Sequence, residues 1–325
     1  MATSIQLNKA GYDPFITFMK GYAILCVLLA HALPNPDATG YALWGGMQVP
    51  LFLLIQVFHS FKKEPHFSLA KLMKRAILPF LLIQLVLFAI ACRQGGVCNQ
   101  LITSIIAGGR GPGSYYFWLY LQFSILLPLL YPLTKKLRRS QLLIIFLLVS
   151  EGCEVLSSFL HTPEPIYRLL CLRYLFLIYL GIEWVQEGIV ISLKSSLLSL
   201  LSIAAIIYFT YFDPSLEPIF FKTAWRYHRW ICYYYVSYLL AWLLSLAYNA
   251  IRNAKWLDSF FKTIGDASYE IYLVQMAVFS IFSRRLLSFL PETASVVCYV
   301  FIALTVSIVG GLVYHKLWSK YVMRI

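Results

Sequence analysis

The chain has 325 residues, of which 60% are hydrophobic and 13% charged, and its mean hydropathy is +0.72. A soluble domain carries about 25% charged residues, so this composition excludes an ordinary soluble protein and indicates a polytopic membrane protein. The formal net charge is +13, but we expect the basic residues to follow membrane topology, which argues against nucleic-acid binding.

Apolar segments of about 20 residues, long enough to cross a bilayer as a helix, recur along the whole chain. They predict an all-α bundle of about ten transmembrane helices, at 15–33, 41–61, 75–92, 114–133, 141–160, 167–187, 190–211, 229–250, 264–282 and 294–317. The connections between them are short. We therefore expect one membrane domain over residues 1–325, with no soluble domain at its C-terminus.

The first predicted helix carries two ionisable residues, Lys20 and His31. Eleven residues nearly complete three helical turns, so both side chains are expected on one face, separated by about 16 Å along the axis. Such groups are costly in hydrocarbon and usually face a bundle interior or a wet cavity. Two other interpretations remain open: Lys20 as a positive-inside anchor, and His31 as a buried histidine that bonds to a neighbouring helix.

Basic residues cluster in the connections after the second and fourth predicted helices, at 62–75 and 135–139. These connections must lie on the same side of the membrane. The positive-inside rule then predicts that both termini are cytoplasmic. The clusters set topology and are candidates for binding an anionic cofactor as well. On the opposite side, Cys92 and Cys98 would be placed where an oxidising compartment allows a disulfide.

Further polar residues lie inside apolar segments. Glu151 and Glu154 are three residues apart and share a face of the fifth helix, while Arg168 and Arg173 belong to the sixth. A structural Glu–Arg pair would explain them. In the functional alternative, Arg173 and Glu154 belong to the same site as His31. No Cys and His spacing resembles a zinc site, so no metal is expected.

Four stretches carry a family resemblance. In the first helix, ten residues separate Lys20 from His31, and near the ninth helix the sequence GDASYEIYLVQ runs from Gly265 to Gln275. Residues 113–132 and 173–181 are similar as well. Together they resemble the acyltransferase-3 family, membrane enzymes that use acyl-CoA to O-acetylate extracytoplasmic sugars. In that family the basic residue is usually Arg, and many members have His where Gln275 stands.

The resemblance implies a multi-pass protein of the bacterial cytoplasmic membrane. It would transfer an acetyl or other short acyl group from acyl-CoA to a hydroxyl of a cell-envelope glycan or lipid-linked sugar. His31 would be the general base, because imidazole accepts a proton near neutral pH. The other predicted catalytic residues are Lys20, Glu154, which would orient His31, and Arg173, which would contact the oxyanion or the acceptor. The phosphates of acyl-CoA would bind four basic residues: Lys20, Lys71, Lys74 and Arg75. The substrate would contact Tyr116, Trp118, Gln122, Tyr269, Glu270 and Gln275.

Two other classes of protein are compatible with the residues. In a transporter or flippase, a proton or substrate path would be formed by Lys20, His31, Glu151, Glu154 and Arg173. This alternative predicts broken helices or an inverted repeat. The sequence displays neither feature. A catalytically inactive relative is the second alternative, favoured by Lys20 and Gln275 and opposed by the presence of His31. The sequence leaves the acceptor sugar and the oligomeric state open.

Overall fold

The computed structural model describes residues 3–8, 11–34, 40–93, 104, 108–160, 162–212 and 229–323. This part of the chain is almost entirely helical, which confirms the predicted all-α class. Its helices are α1 (Pro14–Ala32), α2 (Tyr41–Trp44), α3 (Gln48–Phe61), α4 (Leu69–Leu72), α5 (Leu78–Arg93), α6 (Tyr115–Lys136), α7 (Arg139–Phe159), α8 (Glu164–Leu169), α9 (Phe176–Glu187), α10 (Leu193–Ile207), α11 (Arg229–Tyr234), α12 (Ala241–Ile251), α13 (Lys255–Asp266), α14 (Ser268–Ile281) and α15 (Glu292–Tyr321).

Seven helical segments of the described chain are long and apolar enough to cross a membrane. They are Pro14–Ala32, Tyr41–Phe61, Leu69–Arg93, Tyr115–Lys136, Arg139–Ser157, Ile231–Ile251 and Glu292–Tyr321. The other three predicted spans contain shorter helices: 167–187 divides into α8, a 3-10 turn and α9; 190–211 contains α10; and 264–282 joins the end of α13 to α14. The count of about ten spans and the cytoplasmic termini therefore stay predictions.

Helix α1 begins at a well-formed cap. The Asp13 carboxylate accepts hydrogen bonds from the Phe15 and Ile16 backbone N–H groups, at 2.9 and 3.2 Å. Pro14 occupies the first helical position, where a missing N–H costs nothing. The cap fixes where the helix starts, and with it the heights of Lys20 and His31.

Two short strands tie the N-terminal segment to the middle of the chain. Strand β1 (Thr3–Ile5) pairs antiparallel with β2 (Ile189–Ile191), which follows α9. The turn between α9 and β2 contains Gly188 at a φ of +77°, a conformation that favours glycine. The start of α1 and the end of α9 therefore lie on one side of the bundle.

Helix α1 is packed by elements from both ends of the sequence, namely α3 early in the chain and α12 to α15 late in it. Its crossing with α13 is close because both helices present glycine. A methyl group on Gly21 would lie 2.7 Å from the Phe261 carbonyl oxygen, and one on Gly265 would lie 2.1 Å from the Thr17 carbonyl oxygen. Helix α14 packs in turn against α15. These contacts place α14 and α15 beside the face of α1 that carries Lys20.

Candidate functional site

A cavity of about 1020 Å³ follows this face of α1. Residues of α1, α3, α6, α14 and α15 line it, together with the segment that connects α3 to α5. Lys20 and His31 both belong to the lining, as their eleven-residue spacing predicts. The structure therefore brings the two ionisable residues of the first helix into one space.

His31 lies in the last turn of α1 and is partly exposed to this cavity. Its ring centroid is 6.0 Å from that of Phe279. Within the described residues, the imidazole makes no hydrogen bond. The described part of the chain therefore gives no support to the interpretation of His31 as a histidine bonded to a neighbouring helix, and the ring borders the cavity.

A glycine-rich stretch at 108–114 approaches His31 from the start of α6. Gly108, Gly109, Gly111 and Gly113 all have positive φ, between 79° and 121°. A methyl group on Gly113 would lie 3.5 Å from His31 Nε2. This loop is not among the site residues predicted from the sequence, although the pattern GGRGPG shortly before an aromatic, apolar helix is a readable signal.

Side chains from α5 and α14 hold the loop through its backbone. The Gln84 amide donates to the Arg110 carbonyl at 3.0 Å and accepts from the Arg110 N–H at 2.7 Å. On the other flank, Gln275 Nε2 donates to the Pro112 carbonyl at 3.0 Å, and the Tyr272 hydroxyl donates to the Gly113 carbonyl at 2.9 Å. Gln275, a predicted substrate contact, is thus fully buried beside the loop.

The Lys20 end of the cavity carries several charges. Asp266 and Glu270 are the acidic neighbours of Lys20, and the Glu270 carboxylate lies 3.1 Å from His315 Nδ1 on α15. His59 of α3 also lines this part of the cavity. His59 and His315 were not singled out from the sequence, because each is the lone histidine of its helix and no spacing marks it.

The basic connection after α3 reaches the cavity through a wider, π-helical turn, Met73–Ile77. Lys71 and Arg75 line the cavity, whereas Lys74 is absent from the lining. A π turn leaves backbone carbonyls free for other donors. Here the Lys74 carbonyl accepts from Trp318 Nε1 at 2.9 Å, and the Ala76 carbonyl accepts from the Tyr269 hydroxyl at 2.8 Å. Helices α14 and α15 therefore fix the turn that presents Arg75 and that directly follows α4, the short helix that carries Lys71.

The predicted substrate contacts divide into two groups. Tyr116, Tyr269 and Glu270 line the cavity. Trp118, Gln122 and Gln275 are not among its lining residues and instead donate to backbone carbonyls: Trp118 to that of Gly108, Gln122 to that of Leu169, and Gln275 to that of Pro112. Gln122 also accepts from the Cys171 N–H at 3.2 Å, so its amide supports the backbone where the predicted sixth helix is interrupted.

Glu154 and Arg173 lie outside the cavity lining as well. The Tyr167 hydroxyl donates to the Glu154 carboxylate. The Arg173 guanidinium carbon is 4.5 Å from the Tyr167 ring centroid and 4.8 Å from that of Tyr174, an arrangement that stabilises a buried cation. A catalytic role for these two residues stays a prediction. Cys92 is exposed, while Cys98 lies outside the described residues, so their pairing also stays a prediction.

The long apolar helices and the polar cavity between them define a multi-pass membrane protein. A family model described as an acyltransferase domain, that of the acyltransferase-3 family, matches residues 13–312. The chain therefore belongs to the acyltransferase-3 family, and membrane acyl transfer is the activity that this membership indicates. No curated protein and no solved structure matches the chain significantly.

Proposed function

We propose that the protein is a membrane O-acyltransferase that moves an acetyl or other short acyl group from acyl-CoA to a hydroxyl of a cell-envelope glycan or a lipid-linked sugar. The location we propose is the bacterial cytoplasmic membrane. One observation carries the proposal: a single cavity contains His31 together with Lys71 and Arg75. A base and an anion-binding turn in one space suit a donor that has phosphates at one end and a thioester at the other.

The distance between the basic end of the cavity and His31 also supports the proposal that acyl-CoA is the donor. Lys20 and His31 are about 16 Å apart along α1, and Tyr269, next to Glu270 near Lys20, bonds to the basic turn. The CoA phosphates would bind Lys71 and Arg75 at the cytoplasmic mouth. The long arm of the cofactor would then carry the thioester towards His31, in the half of the bilayer nearer to an extracytoplasmic sugar.

The proposed chemistry needs a proton acceptor at the reacting alcohol. His31 takes the proton as the alcohol oxygen bonds to the thioester carbonyl carbon, and the carbonyl electron pair moves onto its oxygen. Collapse of this intermediate breaks the C–S bond. The thiolate leaves and takes up the proton, giving the ester and free CoA.

Mass spectrometry of the envelope glycans tests the function. Cells would express the intact protein or His31→Ala at equal membrane abundance, with an empty vector as the baseline. We expect O-acyl groups with the intact protein alone, and the added mass identifies the acyl group. An unchanged glycan with the inserted, intact protein would contradict the proposal and favour the transporter or the inactive relative.

Removing the two cavity-lining cations of the connection between α3 and α5 tests the donor site. We expect Lys71→Gln combined with Arg75→Gln to raise the KM for acetyl-CoA about tenfold or more with little change in kcat, because hydrogen bonds to charged groups contribute about 1.5–3 kcal/mol each. Transfer from radiolabelled acetyl-CoA in isolated membranes gives both constants. Lys136→Gln is the matched control, since Lys136 is exposed and lies outside the cavity lining. An unchanged KM in the double variant would exclude Lys71 and Arg75 as the donor site.

A further inference from the structure

The backbone of Gly113 borders the cavity beside His31. Gly113 lines the cavity, and its φ of +79° excludes most other residues without strain. A methyl group at this position would lie 3.5 Å from His31 Nε2, 3.7 Å from the Tyr272 ring and 3.9 Å from Gln275 Nε2. Even a single methyl group at this position would therefore be in van der Waals contact with the predicted base, so the Gly113 backbone borders His31 with no side chain between them.

The carbonyl and the amide of Gly113 differ in their partners. The carbonyl accepts the Tyr272 hydroxyl, and the preceding carbonyl, that of Pro112, accepts the Gln275 amide. The Gly113 N–H has no acceptor among the described residues. A backbone donor without a partner is costly away from water, and this one belongs to a residue that lines the cavity beside His31.

We propose that the Gly113 N–H is an oxyanion donor in acyl transfer, and that Tyr272 and Gln275 are positioning residues that hold this amide beside His31. This inference rests on the proposed function. As the alcohol oxygen bonds to the thioester carbon and its proton passes to His31, the carbonyl oxygen gains the electron pair. A fixed donor lowers the energy of that charge without having to reorganise. When the C–S bond breaks, the pair returns to the carbonyl.

The positioning role proposed for residue 275 requires only a side chain that can donate a hydrogen bond to the Pro112 carbonyl, and glutamine meets this requirement. The bond to Pro112 needs one N–H donor at the end of the side chain. Glutamine supplies such a donor, and so does a histidine ring. Methionine matches glutamine in length but supplies none, so the two replacements separate the hydrogen bond from the packing of this buried position.

Kinetics of transfer from radiolabelled acetyl-CoA to the envelope glycan fraction test the inference. We expect Tyr272→Phe and Gln275→Met each to lower kcat about tenfold or more, with the KM for acetyl-CoA unchanged, because the donor acts on the transition state alone. The double variant should lose less than the product of the two effects, since both residues hold one loop. Gln275→His should retain kcat.

Tyr299→Phe is the matched control. Its hydroxyl also donates to a distant carbonyl, that of Phe282, at 3.3 Å, but Tyr299 lies outside the cavity lining. We expect its kcat to equal that of the intact protein. An undiminished kcat in Tyr272→Phe and Gln275→Met, or a loss in Gln275→His as large as that in Gln275→Met, would overturn the positioning roles.

A second measurement tests the amide itself. Glycolic acid in place of Gly113, introduced in the Gln275→Met background, replaces the N–H with an oxygen after the Pro112 carbonyl has already lost its donor. We expect a further fall in kcat of about 10²-fold; no further fall would exclude the amide as an oxyanion donor. If the intact protein transfers no acyl group at all, the proposed function fails, and this result is distinct from a failure of the inference.

Discussion

Alanine at position 31 is expected to lower kcat for acyl transfer by about 10³-fold, within the range that a general base contributes. The KM for acetyl-CoA should change little, because the phosphates would bind Lys71 and Arg75 away from His31. Steady-state kinetics in detergent or in membranes of matched protein content measure both constants. A loss of less than tenfold would contradict the role of His31 as the base.

Chemical rescue separates this role from a structural one. His31→Gly leaves a space that opens to the cavity, so added imidazole should restore part of kcat in proportion to its unprotonated fraction. Imidazole cannot repair a misfolded bundle. If imidazole has no effect while the variant retains the thermal stability of the intact protein, the proposal of direct proton transfer at this position is wrong.

Valine at position 265 is expected to separate α13 from α1. A methyl group there would lie 2.1 Å from the Thr17 carbonyl oxygen and 2.9 Å from Thr17 Cγ2, so the helices must move apart. Overpacking of this kind costs about 1–3 kcal/mol or more. We expect a lower melting temperature and the loss of acyl transfer, because the same crossing positions Lys20.

Gly152→Val is the control for this substitution. Gly152 also lies within a membrane-length helix, but a methyl group there would meet nothing within 4 Å. Thermal unfolding of the detergent-solubilised protein should therefore distinguish the two variants. Equal melting temperatures for Gly265→Val and the intact protein would show that α1 and α13 tolerate a wider crossing.

The sequence predicted the long helices well and the interrupted ones poorly. The predicted first span, 15–33, differs by one residue at each end from α1, because a proline, a capping aspartate and apolar periodicity all agree there. The predicted sixth span, 167–187, is not one continuous helix. Mean hydropathy does not reveal this interruption, because it is calculated from composition and contains no information on backbone conformation. The backbone at Leu170 is extended, and the Gln122 amide satisfies the groups around it from 47 and 49 residues away.

The relative position of two candidate site residues could be predicted from the sequence when both residues lie on the same helix. The spacing of Lys20 and His31 needs only the helical repeat, so both were placed correctly on one face. Lys74 illustrates the limit: a regular helix cannot reveal the π turn that leaves it out of the cavity lining. Contacts between distant segments, such as Gln275 with Pro112 and His315 with Glu270, depend on packing that no local pattern encodes.

The order of the chain has a consequence for how the cavity is completed. Helix α1 is translated long before Asp266 and Glu270, the acidic neighbours of Lys20, because these lie on α13 and α14. Until then the charged face of α1 has lost water without gaining its acidic neighbours. The nascent protein must therefore keep α1 in a protected environment until α13 and α14 have been translated. Chains that stop before α13 would present this face to lipid or to quality-control proteases.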